Sequence, residues 1–156
     1  MTVVHHTAIC TRDIDAGLRF WRDALGFEVL MDETFTGDWP TLLRAPGTSL
    51  RSVFLGDPSV PDAGIVELVD LGDVAPRASG ADGPTSQGFL IVSVVTDLEA
   101  ALDRLAEAGL GGAPRRIDAS GVAMAVVVDP DGVAVELIDD GVRANLERLA
   151  GQGGRR

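Results

Sequence analysis

Short stretches of alternating apolar and polar residues, separated by turns and helical patterns, run along the whole chain. Val3–Thr11 alternates with period two, which predicts a first β-strand. After it the spacing becomes helical: Asp13 is the predicted N-cap, large apolar side chains recur every three or four residues, and Gly26 is the predicted stop. The first part of the chain therefore predicts a strand followed by a helix that packs its apolar stripe on a sheet.

Three more predicted strands complete a first unit of order β-α-β-β-β. They cover Phe27–Thr34, Leu50–Gly56 and Ile65–Leu71, and the segment Trp39–Gly47 between the first two follows neither period. Residues 72–86 are rich in Gly, Pro, Ser and Asp, which is typical of a linker or flexible loop.

The second half of the chain repeats the first. Its predicted elements are a strand over Phe89–Val95, a helix from Asp97 to Gly109, and strands over Arg115–Ala119, Val122–Val128 and Val133–Asp139. Val-Glu-Leu-Val-Asp at 66–70 also recurs as Val-Glu-Leu-Ile-Asp at 135–139. The duplication predicts an α+β fold of two tandem βαβββ modules within one structural domain, residues 1–71 and 87–140, followed by a C-terminal helix and disordered tail over 141–156.

Composition limits the partners and the compartment. The 156 residues carry a net charge of -11, and all 13 basic residues are Arg. Such a field repels phosphate, which argues against nucleic acid or an anionic membrane as a partner. A single cysteine, Cys10, excludes an internal disulfide, and neither a signal peptide nor a membrane-spanning run is present. We expect a cytoplasmic protein that binds a small molecule.

The repeated strand motif places one glutamate in the middle of an apolar run in each module. Burying a carboxylate there is costly unless it binds a cation or takes part in proton transfer. If the modules pack pseudo-symmetrically, Glu67 and Glu136 lie in one cavity with His6 of the first strand. One imidazole and two carboxylates predict a divalent metal site for Zn²⁺, Ni²⁺, Mn²⁺ or Fe²⁺.

Several motifs resemble the vicinal oxygen chelate superfamily, which includes glyoxalase I, methylmalonyl-CoA epimerase, extradiol dioxygenases, fosfomycin-resistance enzymes and bleomycin-binding proteins. They are a first-strand histidine with D-I-D-A seven residues later, F-W-R-D-A-L-G-F on the first helix, V-E-L-V at the end of the first module, and D-P-D-G-V-A-V-E-L near the end of the chain. The resemblance covers residues 3 to 140 and implies the glyoxalase-like fold, in which the modules form a half-open, barrel-like sheet.

The resemblance also implies metal ligands at His6, Glu67 and Glu136. A fourth ligand, usually a histidine on the first strand of the second module, falls on Leu90 when the two helices are aligned. Leucine binds no metal, so either three protein ligands hold the ion or the metal is absent and the acids act as proton-transfer groups. Ring-cleaving oxygen chemistry, which needs that histidine, is disfavoured.

Two functions follow from the resemblance. The first is a glyoxalase-like lyase or epimerase acting on a small carbonyl compound by metal-assisted α-proton transfer, with Glu136 and Glu67 as catalytic residues. The alternative is a non-catalytic protein that sequesters a hydrophobic or cationic natural product, as the bleomycin-binding members do. Leu90, Trp39 and Arg51 are the candidate substrate-binding residues. A homodimer is expected, because each module has exposed sheet edges.

Overall fold

The computed structural model describes residues 4–61, 63–76, 88–119 and 121–141. The predicted C-terminal helix and tail lie outside the described residues, apart from Gly141, and so does most of the predicted linker. Among the described residues, no helix is long and apolar enough to cross a membrane.

The first module has the predicted element order with one added short helix. It contains β1 (His6–Cys10), α1 (Ile14–Leu18), β2 (Glu28–Thr36), α2 (Trp39–Leu43), β3 (Ser49–Gly56) and β4 (Ile65–Asp70). Its four strands form one sheet of order β1-β4-β3-β2, in which β1 runs parallel to β4 and the other neighbours are antiparallel. The parallel pairing makes β1 an edge strand beside the strand that carries Glu67.

The second module repeats this arrangement. It contains β5 (Val92–Thr96), α3 (Leu98–Glu107), β6 (Gly111–Ala119), β7 (Val122–Val128) and β8 (Ala134–Asp139), and its sheet has the order β5-β8-β7-β6. β5 is parallel to β8 as β1 is to β4. The structure confirms the predicted α+β fold of two tandem βαβββ modules.

The first helix begins and ends where the sequence predicts. The Asp13 side chain accepts a hydrogen bond from the backbone N–H of Ala16 at 2.9 Å, and Gly26 adopts φ +83°, which favours glycine. Between these ends α1 continues as a π-helical segment, Arg19–Ala24. Gly17 allows the helix to approach β4 closely, because a Cβ there would lie 2.7 Å from a methyl carbon of Leu68.

One hydrophobic core extends through both modules. It includes fully buried side chains of the first helical region and of the central strands in each sheet: Phe20, Trp21, Val53, Leu55, Leu68, Ala101, Val127, Val135 and Leu137. Hydrogen bonds also cross between the modules, including one from Trp21 and one from Arg104. The Trp21 indole N–H donates to Asp129 at 3.4 Å, and Arg104 donates to the carbonyl of Ala24 at 2.6 Å. The modules therefore pack on each other through the helical side of their sheets.

Two segments differ from the sequence interpretation. The unassigned stretch after Gly37 forms α2, whose N-cap Asp38 accepts from the backbone N–H of Thr41 at 3.3 Å. The predicted strand from Phe89 begins three residues later, at Val92. The later start leaves Leu90 before the strand rather than on it.

Candidate functional site

Glu67 lies in the middle of β4, with its side chain on the face away from the core. Its neighbours along the strand, Val66 and Leu68, are 4% and 0% exposed, whereas its own side chain is 14% exposed. Across the sheet it pairs with Phe54 of β3 and Ala8 of β1. Strand alternation thus brings the carboxylate onto the face opposite the helices, where a solute can reach it.

Both oxygens of Glu67 have partners. The Ser52 hydroxyl donates to Oε1 at 2.5 Å, and Nε2 of His6 lies 3.2 Å from Oε2. Nδ1 of His6 lies 2.9 Å from Nδ1 of His5, so with Nε2–H directed at Glu67 a neutral His6 accepts a hydrogen bond from His5. His6 and Glu67, which the sequence predicts as ligands of one metal ion, are therefore in direct contact with each other.

Glu136 holds the equivalent place on β8, half-buried between the core residues Val135 and Leu137. Its hydrogen-bond partner is Ser93 of β5, whose hydroxyl donates to Oε2 at 2.6 Å. Ser93 is also the residue that pairs with Glu136 in the parallel β5–β8 register. Each glutamate of the repeated motif is therefore bound by a serine from a neighbouring strand.

The predicted metal ligands form one pair rather than a group of three. His6 and Glu67 lie together, but in the parts of the chain that the structure describes no three His, Cys, Asp or Glu residues are grouped so that they could hold a metal ion. Protein zinc sites use three or four such ligands. The arrangement of this single chain therefore does not fit the predicted three-ligand centre, and the Glu136 carboxylate pairs with a hydroxyl instead.

Leu90 does not hold the position that the helix alignment gives it. Strand register pairs Ala8 with Glu67 and Ser93 with Glu136, so the residue that corresponds to His6 is Ile91, two residues before Ser93. Leu90 precedes β5 and is 62% exposed. The sequence alignment was displaced by one residue because β5 lies closer to its helix than β1 does.

The other two predicted substrate-binding residues make contacts of their own. Arg51 forms a bidentate ion pair with Asp32, at 2.8 and 2.9 Å, and alternation along β3 puts it on the face opposite Ser52. The Trp39 indole N–H donates to the carbonyl of Phe35 at 3.2 Å. Neither residue contacts Glu67 or Glu136 through these bonds.

A small cavity lies where β1 and β5 approach each other, and its lining includes neither Glu67 nor Glu136. It has a volume of about 150 Å³ and is lined by residues of β1, including His6, and of β5, including Ser93. The direct partner of Glu67 and the direct partner of Glu136 therefore border the same space. Sequence reasoning missed Ser52 and Ser93; the available signal was a serine within an apolar strand beside each glutamate strand.

A larger cavity of about 810 Å³ lies further along β1. It is bordered by Cys10 and Arg12, by Phe89, and by the turn before β8, including Asp131. Neither Glu67 nor Glu136 lines it. Phe89 is 61% exposed, and burial together with the Asp131 carboxylate raises the pKa of the Cys10 thiol. A protonated thiol is a weak nucleophile, so this cavity is better suited to binding than to nucleophilic catalysis.

The Asp-Pro-Asp-Gly segment before β8 forms the predicted turn and also joins the modules. The Gly132 N–H donates to the Asp129 carbonyl at 3.0 Å. The Asp129 side chain is buried, accepts from the backbone N–H groups of Asp131 and Val133 at 2.9 and 2.8 Å, and bonds Trp21 of the other module. Burial is the main cause that raises the pKa of Asp129 to about 6.

Comparison with known proteins gives the family. The family model of the Glyoxalase/Bleomycin resistance protein/Dioxygenase superfamily matches residues 3–137. A protein of Aspergillus terreus named lactoylglutathione lyase-like protein terB is 32% identical over 145 residues, which cover 86% of this chain and 74% of that protein. The chain therefore belongs to the Glyoxalase/Bleomycin resistance protein/Dioxygenase superfamily, as the motif resemblance predicts.

Solved structures share the fold at low identity. A glyoxalase family protein of Bacillus cereus superposes with a TM-score of 0.71 at 15% identity, covering 89% of this chain and 94% of that one. TnmS3, an antibiotic binding protein of a Streptomyces species, superposes with a TM-score of 0.57 at 20% identity, covering 89% and 96%. The same architecture therefore occurs in a protein described as a binder, so fold alone does not select the function.

Proposed function

We propose that the chain is a glyoxalase-like lyase or epimerase that moves a proton at the carbon next to the carbonyl group of a small compound. The observation that carries this proposal is the shared cavity of about 150 Å³, bordered by the partner of each matched glutamate. Its volume is below the range of about 300–1,000 Å³ typical of drug-sized ligands, so it would hold only the reacting carbonyl end of a substrate such as lactoylglutathione, with the glutathione part outside it. The lyase-like name of the A. terreus relative agrees with this reaction class.

In the proposed reaction the chain's own carboxylates move the proton. Glu136 takes the proton from the α-carbon, the electron pair of the broken C–H bond forms the enolate, and the carboxyl group on the other side returns a proton to carbon. Glu67 is the proposed second group: it takes up a proton from water before the reaction and gives this proton to the carbon, while His6 beside it donates a hydrogen bond to the substrate oxygen. Exchange with water then restores both groups to their starting states.

The divalent metal, the homodimer and the cytoplasmic location stay predictions. The proposed proton transfer contains no step through a metal, because within the described residues the predicted ligands form the His6–Glu67 pair and no group of three. Pairing of two chains remains a way to bring further donors to this pair. Metal analysis of the purified protein beside a His6→Ala variant tests the metal, and sedimentation analysis tests the dimer.

Solvent exchange tests the proton transfer directly. The protein is incubated with lactoylglutathione in D₂O, and the α-proton of the lactoyl group is followed by NMR. The wild type is expected to exchange this proton for deuterium, whereas a Glu136→Gln variant is expected to lose the exchange. Absence of exchange by the wild type with lactoylglutathione, and with the hemithioacetal of glutathione and methylglyoxal, would overturn the proposal.

A second candidate function is sequestration of an organic ligand, and the larger cavity favours it. Its volume of about 810 Å³ lies within the drug-sized range, and Phe89 presents an exposed aromatic ring in its lining. The net charge of -11 suits a cationic ligand. Titration calorimetry with bleomycin, with and without a chelator, tests it: tight binding that a chelator leaves unchanged supports sequestration, and no binding counts against it.

A further inference from the structure

Both matched glutamates receive a serine hydroxyl on one carboxylate oxygen, but the two serines come from different places. Ser52 reaches Glu67 from the antiparallel neighbour β3, whereas Ser93 reaches Glu136 from the parallel neighbour β5. The donor–acceptor distances are 2.5 and 2.6 Å, which is the range of hydrogen bonds from a hydroxyl to a charged carboxylate. Ser52 and Ser93 therefore do not occupy equivalent positions of the sequence duplication.

In each case the equivalent position of the other module carries a residue that is not serine. Ala8 pairs with Glu67 at the place where Ser93 pairs with Glu136. Met124 pairs with Ile138 at the place where Ser52 pairs with Val69. Each module thus has one hydroxyl beside its glutamate, supplied from opposite sides, although nothing in the duplicated backbone requires it.

The two glutamates also differ in how many of their carboxylate oxygens have a hydrogen-bond or ion-pair partner, and this difference suggests different roles. Glu67 has Ser52 on one oxygen and His6 on the other. Among the described residues, Glu136 has a hydrogen bond only on Oε2, from Ser93. A base needs a free lone pair directed at the carbon acid, and a hydrogen bond on the other oxygen limits rotation of the carboxylate about its last bond.

We propose that Ser93 and Ser52 are positioning residues: Ser93 fixes the Glu136 carboxylate so that Oε1 is presented as the base, and Ser52 fixes Glu67 so that Oε2 stays paired with His6. This inference rests on the proposed proton transfer. It goes further by assigning the initial proton abstraction to Glu136 and by giving Glu67 and His6 the return of the proton.

Serine variants test the inference through kinetics. In the lactoylglutathione exchange reaction, Ser93→Ala is expected to lower kcat on the order of 10-fold with little change in KM, because the bond to a charged group is lost from the reacting arrangement. Ser93→Thr keeps the hydroxyl and is expected to restore most of kcat. Ser49→Ala, at the exposed start of β3, is the matched control and is expected to behave as wild type.

A second readout makes the inference independent of activity. Crystal structures of the two alanine variants are expected to show Glu136 rotated or in several conformers in Ser93→Ala, and Glu67 shifted relative to His6 in Ser52→Ala. Carboxylates that stay in place in both variants overturn the positioning roles even if the wild type catalyses exchange. Shifted carboxylates together with an inactive wild type support the positioning roles and reject the proposed function instead.

Discussion

Glu67 and Glu136 occupy the same position of a repeated motif, yet their surroundings differ in three ways. Glu67 has partners on both oxygens and its serine is 2% exposed, whereas Glu136 has one serine partner, which is exposed. Only Glu67 has a histidine beside it. The duplication therefore preserved the backbone position of each acid while the side chains around it diverged, which is how one fold can assign unlike roles to two like groups.

The largest expected effect separates the two acids by catalysis. Glu136→Gln keeps size and hydrogen-bonding ability but removes the base, so the exchange rate is expected to fall by about 10²- to 10⁴-fold, the usual contribution of a general base. Ser93 can still donate to the amide oxygen, so the melting temperature is expected to stay within about 2 °C of wild type. Loss of exchange with an unchanged melting curve would support Glu136 as the base. An exchange rate near that of the wild type would mean that another group is the base.

The buried carboxyl group of Asp129, between the modules, is expected to make the free energy of unfolding depend on pH. Burial raises the pKa of Asp129 from its ordinary value of 3.8 to about 6, so the folded protein binds this proton more tightly than the unfolded chain does. The contribution of Asp129 to the free energy of unfolding therefore increases as the pH falls through 6, and it reaches its full value below about pH 4. The difference of about two pKa units corresponds to about 3 kcal/mol.

Asp129→Asn is expected to remove this dependence. The amide oxygen can still accept from the backbone N–H of Val133, whereas the amide nitrogen opposes the Trp21 N–H that now bonds Asp129. Urea unfolding of wild type and variant between pH 4 and 7 measures the effect. Asp103→Asn, which changes an exposed acid of α3 away from this turn, is the control and is expected to keep the wild-type pH dependence. Equal pH dependence in wild type and Asp129→Asn would contradict the assignment to Asp129.

The next effect separates the glutamates by stability rather than by rate. Glu67→Ala leaves the hydroxyl of Ser52 buried without its acceptor, which is expected to cost about 1–3 kcal/mol of unfolding free energy. Glu136→Ala leaves the exposed Ser93 free to bond water, and the expected cost is below about 0.5 kcal/mol. Urea unfolding compares the two.

The double variant Glu67→Ala/Ser52→Ala provides the control for this difference. Removing both members of the pair leaves no buried hydroxyl without a partner, so part of the lost stability is expected to return. Equal losses in Glu67→Ala and Glu136→Ala would mean that the burial of Ser52 makes no difference between the two modules.

The sequence predicted the features that depend on local chemistry. The N-caps Asp13 and Asp97 both accept from the backbone N–H three residues later, at 2.9 and 3.1 Å, and Gly26 and Gly109 adopt positive φ where the helices end. The family resemblance assigned His6 and Glu67 to one site as metal ligands, and the structure has these two side chains in direct contact at 3.2 Å. These features are readable because each depends on a few neighbouring residues or on a shared motif.

Features that depend on register between distant strands were not predicted. Three residues separate β1 from α1, but only Asp97 separates β5 from α3, so aligning the helices displaced the strands and selected Leu90. The same displacement hid Ser93 opposite Glu136. α2 was missed because its five residues have no buried side chain and hence no apolar stripe. Pairing of Ser52 with Glu67 joins residues fifteen apart, which periodicity does not show.

The smallest effect tests whether the side from which the hydroxyl comes matters. Ala8 pairs with Glu67 as Ser93 pairs with Glu136, so Ala8→Ser gives the first module the hydroxyl arrangement of the second. In the Ser52→Ala background this change is expected to recover about 0.5–1.5 kcal/mol of unfolding free energy, the net value of one hydrogen bond, and to return the Glu67 carboxylate toward His6.

Ala8→Ser alone is the control and should leave the unfolding free energy unchanged, because Glu67 already accepts a hydrogen bond from Ser52. Urea unfolding and the crystal structure of the double variant measure both changes. No recovery would mean that only a hydroxyl from β3 can hold Glu67 beside His6, which would make the difference between the modules a requirement of the site and not a result of drift.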